Sequence, residues 1–220
     1  MKFKHLFLTI IFSGLQWVSY AQDETKIRIS TEFGDMIIKL YNDTPIHGNN
    51  FIKNIKSGMY DGALFHRVIP YFMMQGGDPL SVNAEPDQHL GRDNCATIPS
   101  EILPHHFHKK GALAAARTPD NVNPTKASSG CQFYIVQGYK HTAAQLSSQE
   151  ASSGKTIGPM QKAYYQARGG SPFLDGEYTV FGEVVEGLEV IDLIGAMETS
   201  KTITDRPIMD IKMKVEILKN

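Results

Sequence analysis

Phe65-His66-Arg67-Val68-Ile69-Pro70-Tyr71-Phe72-Met73-Met74-Gln75-Gly76-Gly77-Asp78 is the stretch on which the reading of this 220-residue chain turns. Two short apolar runs, Ala63 to Ile69 and Phe72 to Gly76, lie on either side of Pro70-Tyr71, and the flanking Pro and Gly mark turns. Both runs read as strands. Alternate residues of a strand share a face, so Phe65, Arg67 and Ile69 are expected together, with His66 and Val68 opposite. Arg67 then sits among apolar neighbours, with Phe72, Met73 and Gln75 close behind. A guanidinium over an apolar floor is costly to leave unpaired and needs a partner or a task. The blander alternative is an Arg whose stem packs on the sheet while its head reaches water.

Working outward, Lys26 to Ser30 alternates Ile27 and Ile29 with charge and reads as a strand, Phe33-Gly34-Asp35 supplies a turn, and the apolar run Met36 to Tyr41 reads as a second strand, which together predict a hairpin. Thr44-Pro45 starts a helix, with Thr44 as N-cap, apolar Phe51, Ile52 and Ile55 at helical spacing, and Gly58 as terminator. Gly111 to Arg117, Cys131 to Val136 and Tyr178 to Val185 read as further strands. Gly187 to Ile194 reads as a second helix, and Met209 to Leu218 as a closing strand. Two stretches break the rhythm. Gly77 to Lys110 is long, polar and Pro-rich, and Gly138 to Pro172 has helical potential at 142–151 and 160–168. Many short strands without repeated strand–helix alternation favour an antiparallel barrel or sandwich over a doubly wound sheet.

Composition agrees with one folded domain: 41% of residues are hydrophobic and the formal charge is −1. With no basic block, nucleic acid is not an expected partner. Two cysteines exclude a disulfide-dense scaffold and a four-cysteine zinc site. Residues 1–21 have the layout of a secretory signal peptide: Lys2 and Lys4, an apolar run from Leu6 to Leu15, then Ser19-Tyr20-Ala21. The run is short for a membrane span, although an uncleaved anchor is the alternative. Residues 22–220 are then the mature, exported domain, with no other apolar run of membrane length.

The segment at 65–78 closely resembles the signature of the cyclophilin family of peptidyl-prolyl cis-trans isomerases. Gly111 to Arg117, Ser129 to Ile135 and Phe173 to Gly182 resemble that family's later active-site segments, the first in its bacterial form. The resemblance runs from about Lys26 to Leu218. It implies a mostly β fold, an eight-stranded antiparallel β-barrel closed by two α-helices, here with a helical insertion near 138–172. It also implies that Arg67 is catalytic, that Phe72, Met73, Tyr134 and Leu174 wall a proline pocket, and that Gln75, Ala116 and Gln132 bind peptide backbone.

The chain departs from the family pattern at several positions. Tyr134 stands where many members have Phe, Arg117 replaces a common Asn, Tyr178 a common His, and Cys131 a common Ser. Phe173 replaces a Trp associated with tight cyclosporin binding. Aligned through the family fold, Cys95 and Cys131 fall near a secondary pocket beside the proline site. A bridge between them is one expectation for an exported chain, and two free thiols the other.

Other chemistries find no support in the sequence. It contains no nucleophile elbow, no His-Glu-x-x-His and no phosphate loop. His105, His106 and His108 could hold a divalent transition metal, but such a run is more often a solvated loop. His66 is expected to be structural. Asn42-Asp43-Thr44 fits a glycosylation sequon that the cap role of Thr44 explains better. Rotation about an X-Pro bond needs no cofactor, metal or nucleotide. The expected protein is therefore an exported, periplasmic, monomeric isomerase that acts on unfolded or partly folded proline-containing polypeptides. A proline-peptide binding module or chaperone is the alternative. Export should cleave the chain after Ala21; intact mass of the exported protein should begin at Gln22, and a retained Met1 would instead mark an anchor.

Overall fold

Alternation along each strand places one set of side chains inside a closed sheet and the other set outside it. The computed structural model describes residues 24–92 and 95–219; the signal-peptide assignment lies outside them. The strands are β1 (Lys26–Thr31), β2 (Gly34–Leu40), β3 (Arg67–Ile69), β4 (Met73–Gly76), β5 (Thr97–Ile98), β6 (Ala112–Ala115), β7 (Ser128–Ser129), β8 (Phe133–Val136), β9 (Val180–Glu186) and β10 (Lys214–Ile217). Eight of them form one antiparallel sheet in the order β10-β1-β2-β9-β6-β8-β4-β3, and β5 pairs separately with β7. The two edges meet: Gly62 N–H donates to Met213 O, Met213 N–H to Ala63 O and Phe65 N–H to Ile211 O, each near 2.9 Å. These bonds curl the sheet into a barrel.

Inside the barrel, Ile27, Ile29, Met36, Ile38, Met74, Leu113, Phe133 and Ile135 are fully or almost fully buried. Helices α1 (Pro45–Lys56) and α4 (Leu188–Gly195) contribute Phe51, Val190, Ile191 and Ile194 to the same cluster. The outward residues of β4, β6 and β8 form a second cluster of Met73, Ala112, Ala114, Tyr134 and Val136, with Leu174 and Val180.

One expectation about facing is corrected here. Phe65 does not share a face with Arg67; it packs in the barrel interior 6.3 Å from the Phe133 ring. Regular pairing starts only at Arg67, so the alternation counted back from Ile69 fails before it reaches Phe65.

Thr44 also behaves differently from expectation. Its side chain makes no cap bond to α1 and instead donates to Tyr41 O at 3.3 Å. The first amides of α1 are capped from the long loop: Glu101 accepts from Ile46 N–H at 3.0 Å and His47 N–H at 2.9 Å. A carboxylate at a helix N-terminus makes charge-assisted bonds and opposes the helix dipole, an advantage a hydroxyl lacks.

The 138–172 insertion contains α2 (Ala143–Ser153) and α3 (Pro159–Ala167), close to the expected ranges. Thr142 and Gln145 form a reciprocal capping box at the start of α2. Leu146, Ile157 and Tyr165 pack with Phe107 as a small separate core. The insertion leaves and rejoins the barrel through facing glycines. A Cβ on Gly138 would lie 2.4 Å from Gly170 Cα, and both residues have positive φ, so larger residues would force the two chain ends apart.

Cys95 and Cys131 are joined by a disulfide with Cα atoms 6.0 Å apart, tying the 77–110 loop to the start of β8. By loop-closure entropy, a bridge spanning 36 positions should contribute about 3–4 kcal/mol to stability. Reduction should lower the melting temperature markedly and change turnover little. Two alkylatable thiols in the native, unreduced protein would contradict the bridge.

Candidate active site

The register of four strands sets one row of residues on the outer face. Arg67 on β3 pairs with Gln75 on β4, Gln75 with Tyr134 on β8, and Tyr134 with Ala114 on β6. Along the row, Arg67 Nη1 reaches Gln75 Oε1 at 3.4 Å, and Gln75 Nε2 donates to Gln132 Oε1 at 2.7 Å. Asp205 stands behind Arg67, with Oδ2 3.9 Å from Nε. Its turn is fastened to β3 by Val68 N–H donating to Asp205 O at 3.0 Å. Arg67 Nε is nonetheless buried with no hydrogen-bond acceptor among the described residues.

Arg67, Phe72, Met73, Gln75, Ala116, Arg117, Tyr134, Leu174 and Tyr178 line one cleft of about 170 Å³. Gln132 lines the adjoining, larger cavity of about 400 Å³, which shares Gln75, Ala116 and Arg117 with the cleft. Phe173 lies outside the cleft. Half exposed, it packs 5.3 Å from Phe72 and faces the groove beside the insertion. The Ala116 backbone is engaged in the sheet: its N–H donates to Gln132 O, and its C=O accepts from Ser129 N–H and keeps a second lone pair.

The Arg117 head is not free for a ligand. Its Nε donates to Glu177 O at 2.7 Å, Nη1 pairs with Asp120, and the guanidinium lies 4.6 Å over the Tyr178 ring. Burial would raise the Glu177 carboxyl, but hydrogen bonds from Lys126 and Lys155 outweigh it and hold the group below its ordinary range. Glu177 thus stays charged and keeps Arg117 and Tyr178 in place.

Sequence reasoning missed the group beneath the pocket wall. His108, fully buried, separates from His105 and His106 and sits against Tyr134. The Tyr134 hydroxyl donates to His108 Nε2 at 2.9 Å, and His108 Nδ1–H donates to Asp175 Oδ1 at 3.0 Å; the network sets this tautomer. Asp175 also accepts from His108 N–H at 2.8 Å and from the Tyr165 hydroxyl at 2.6 Å. Burial first, then Tyr178 and Asp175, pushes the Tyr134 phenol well above its ordinary range, so it remains a neutral donor. The signal was the extra hydroxyl at Tyr134: a buried phenol requires a partner.

Residues 26–217 match the family described as "Cyclophilin type peptidyl-prolyl cis-trans isomerase/CLD". The chain belongs to the cyclophilin family. It is 36% identical over 190 residues to a Staphylococcus epidermidis protein described as "Putative peptidyl-prolyl cis-trans isomerase", covering 86% of this chain and 89% of that one. A Streptococcus pyogenes protein described as a "Putative bifunctional phosphatase/peptidyl-prolyl cis-trans isomerase" is also 36% identical over 189 residues. That match covers 84% of this chain but only 37% of the longer relative. A crystal structure of a Cryptosporidium parvum cyclophilin-type isomerase superposes with a TM-score of 0.64, at 23% identity, over 90% of this chain and 99% of that one. This cyclophilin is accordingly a peptidyl-prolyl cis-trans isomerase, and proline-containing peptides are its substrates.

The buried Tyr134–His108 bond gives a direct test of how the pocket wall is held. Tyr134→Phe should cost about 1–3 kcal/mol, because it leaves His108 Nε2 without its donor. In a double-mutant cycle with His108→Leu, measured by urea unfolding, the two changes should couple by about 1 kcal/mol. Strict additivity would mean that the two groups do not support each other.

Proposed function

We propose that Arg67 is the catalytic residue of an exported isomerase and that the cleft holds the prolyl ring while the neighbouring peptide turns. Rotation of an X-Pro bond must cross a barrier of ~18–20 kcal/mol, because the C–N bond has partial double-bond character. Twisting breaks conjugation and leaves a lone pair on the prolyl nitrogen. A donor that meets this lone pair only in the twisted state lowers the barrier without tightening the ground state.

The observation that carries this reading is the open donor capacity of Arg67 beside apolar walls. Its contacts to Gln75 and Asp205 are long, at 3.4 and 3.9 Å, and its Nε–H finds no hydrogen-bond acceptor among the described residues. Phe72, Met73, Tyr134 and Leu174 supply the surface for the pyrrolidine ring. Gln75 and Gln132, bonded to each other, supply amide groups for the peptide on the side of the larger cavity. No proton is transferred and no covalent intermediate forms.

The destination rests on other grounds. The basic, apolar and small-residue sequence of residues 1–21 supports export. The Cys95–Cys131 bridge suits an oxidising space such as a bacterial periplasm. The clients are then exported polypeptides whose folding waits on slow X-Pro isomerisation, which takes tens of seconds or more uncatalysed.

Arg67→Ala should cut kcat/KM in a protease-coupled X-Pro peptide assay by roughly two to three orders of magnitude, the cost of losing one transition-state donor. Circular dichroism should be unchanged, since the side chain lines an open cleft. Turnover within about threefold of the wild type in the folded variant would remove Arg67 from the catalytic role. A wild-type protein that binds proline peptides without turning them over would instead favour the binding-module reading.

A further inference from the structure

The fold splits the three histidines of 105–108 and brings a third donor to two of them. Asp43 lies in the turn after β2, two residues beyond Tyr41. His105 Nε2 lies 2.7 Å from Asp43 Oδ2, and His106 Nε2 lies 2.7 Å from Oδ1. The three side chains offer ligand atoms all within 4.8 Å of one another. The positions are held from both sides. The Tyr41 ring stacks on His106 at 4.0 Å with an interplanar angle of 14°. A tight turn, with His106 N–H donating to Leu103 O at 3.1 Å, presents the two adjacent imidazoles to the same carboxylate.

We propose that Asp43, His105 and His106 form a divalent transition-metal site that clips the 77–110 loop to the β2–α1 turn. Two imidazole nitrogens and one carboxylate oxygen suit a borderline ion such as Zn²⁺, Co²⁺ or Ni²⁺ rather than Mg²⁺ or Ca²⁺, which favour all-oxygen sets. Zn²⁺ takes such ligands at ~2.0–2.2 Å and accepts three protein donors plus water. Around an ion at those bond lengths, neighbouring ligand atoms stand roughly 3.3 Å apart. The present 2.7 Å contacts therefore need to open by only a fraction of an ångström.

In the metal-free protein each Nε2–H donates to the Asp43 carboxylate; on binding, that proton passes to Nδ1 or is released to water, which frees the Nε2 lone pair for the ion. His105 is the most exposed of the three, so the remaining coordination positions face water. Lys39 and Lys109, the cations near Tyr41 and Phe107, are both paired with Glu183 and do not oppose a metal charge. An ordinary ion-pair role explains the cluster less well. Exposed ion pairs contribute little to stability, and a second imidazole on an already bonded carboxylate adds little to that.

The site is separate from the Arg67 cleft, which makes the test clean. Calorimetric titration of the untagged mature protein with ZnCl₂ should show one ion per chain. Co²⁺ should give the visible absorption of a low-coordinate N/O site. Asp43→Asn, His105→Ala and His106→Ala should each weaken Zn²⁺ by about tenfold or more, while isomerase activity of the metal-free variants stays at the wild-type level. Zn²⁺ should raise the melting temperature of the wild type and leave that of Asp43→Asn unmoved. No binding event below about 1 mM Zn²⁺, equal affinity for Mg²⁺, or undiminished Zn²⁺ binding by all three variants would each overturn the proposal.

Discussion

Strand register is the constraint on which the site depends. Arg67, Gln75, Tyr134 and Ala114 are neighbours because β3, β4, β8 and β6 pair at fixed offsets. A slip of one residue on any of these strands would turn its outward side chain into the barrel. The interior prevents the slip. Phe133, Ile135, Met74 and Leu113 fill the core from the same strands, and moving them outward would expose large apolar side chains. The tightly packed inner face thus fixes the geometry of the outer one, and the role proposed for the Arg67 guanidinium needs that rigidity.

Around the row, polar groups hold the apolar walls. Asp175 receives three donors from two segments and positions Tyr134 through His108. Glu177, two residues further on, gathers Arg117, Lys126 and Lys155 and thereby fixes Tyr178. Both carboxylates belong to the loop that also carries Leu174. That loop links the insertion to the cleft: Tyr165 of α3 reaches Asp175 directly, and Lys155 reaches Glu177. The insertion therefore braces one wall of the cleft while keeping a small core of its own.

The barrel was legible in the sequence because short apolar runs bounded by Gly and Pro recur, with clear period-two alternation at Lys26 to Ser30 and Met209 to Leu218, and the cleft because fourteen consecutive residues at 65–78 resemble a known segment. What was not legible came from partners distant in the chain. Thr44 before Pro45 reads as a helix cap, yet the cap is Glu101, 55 positions from Ile46. Asp175 lies 67 positions from His108, and no local pattern connects them. Phe65 was assigned to the wrong face because the alternation was extended past the point where pairing begins. Asp205 gave no local signal; a turn near the last strand carries it to Arg67.

The seam that closes the barrel imposes an order in time. Arg28 on β1 pairs with Glu216 on β10, 188 positions away; Ile211 and Met213 from the same final segment bond the residues at 62–65 that lead into β3, and Asp205 bonds β3 itself at Val68. During synthesis from the N-terminus, both sheet edges stay unpaired until that segment emerges. Pairings of such long sequence separation make folding slow, and open edges invite contact with other chains. β3, which carries Arg67, is the edge strand that waits for this segment, whereas β4, which carries Gln75, already has β3 and β8 on its two sides. An isomerase built this way closes its barrel only after the segment from Asp205 to Ile217 has emerged, and its open edges need protection from association in the interval.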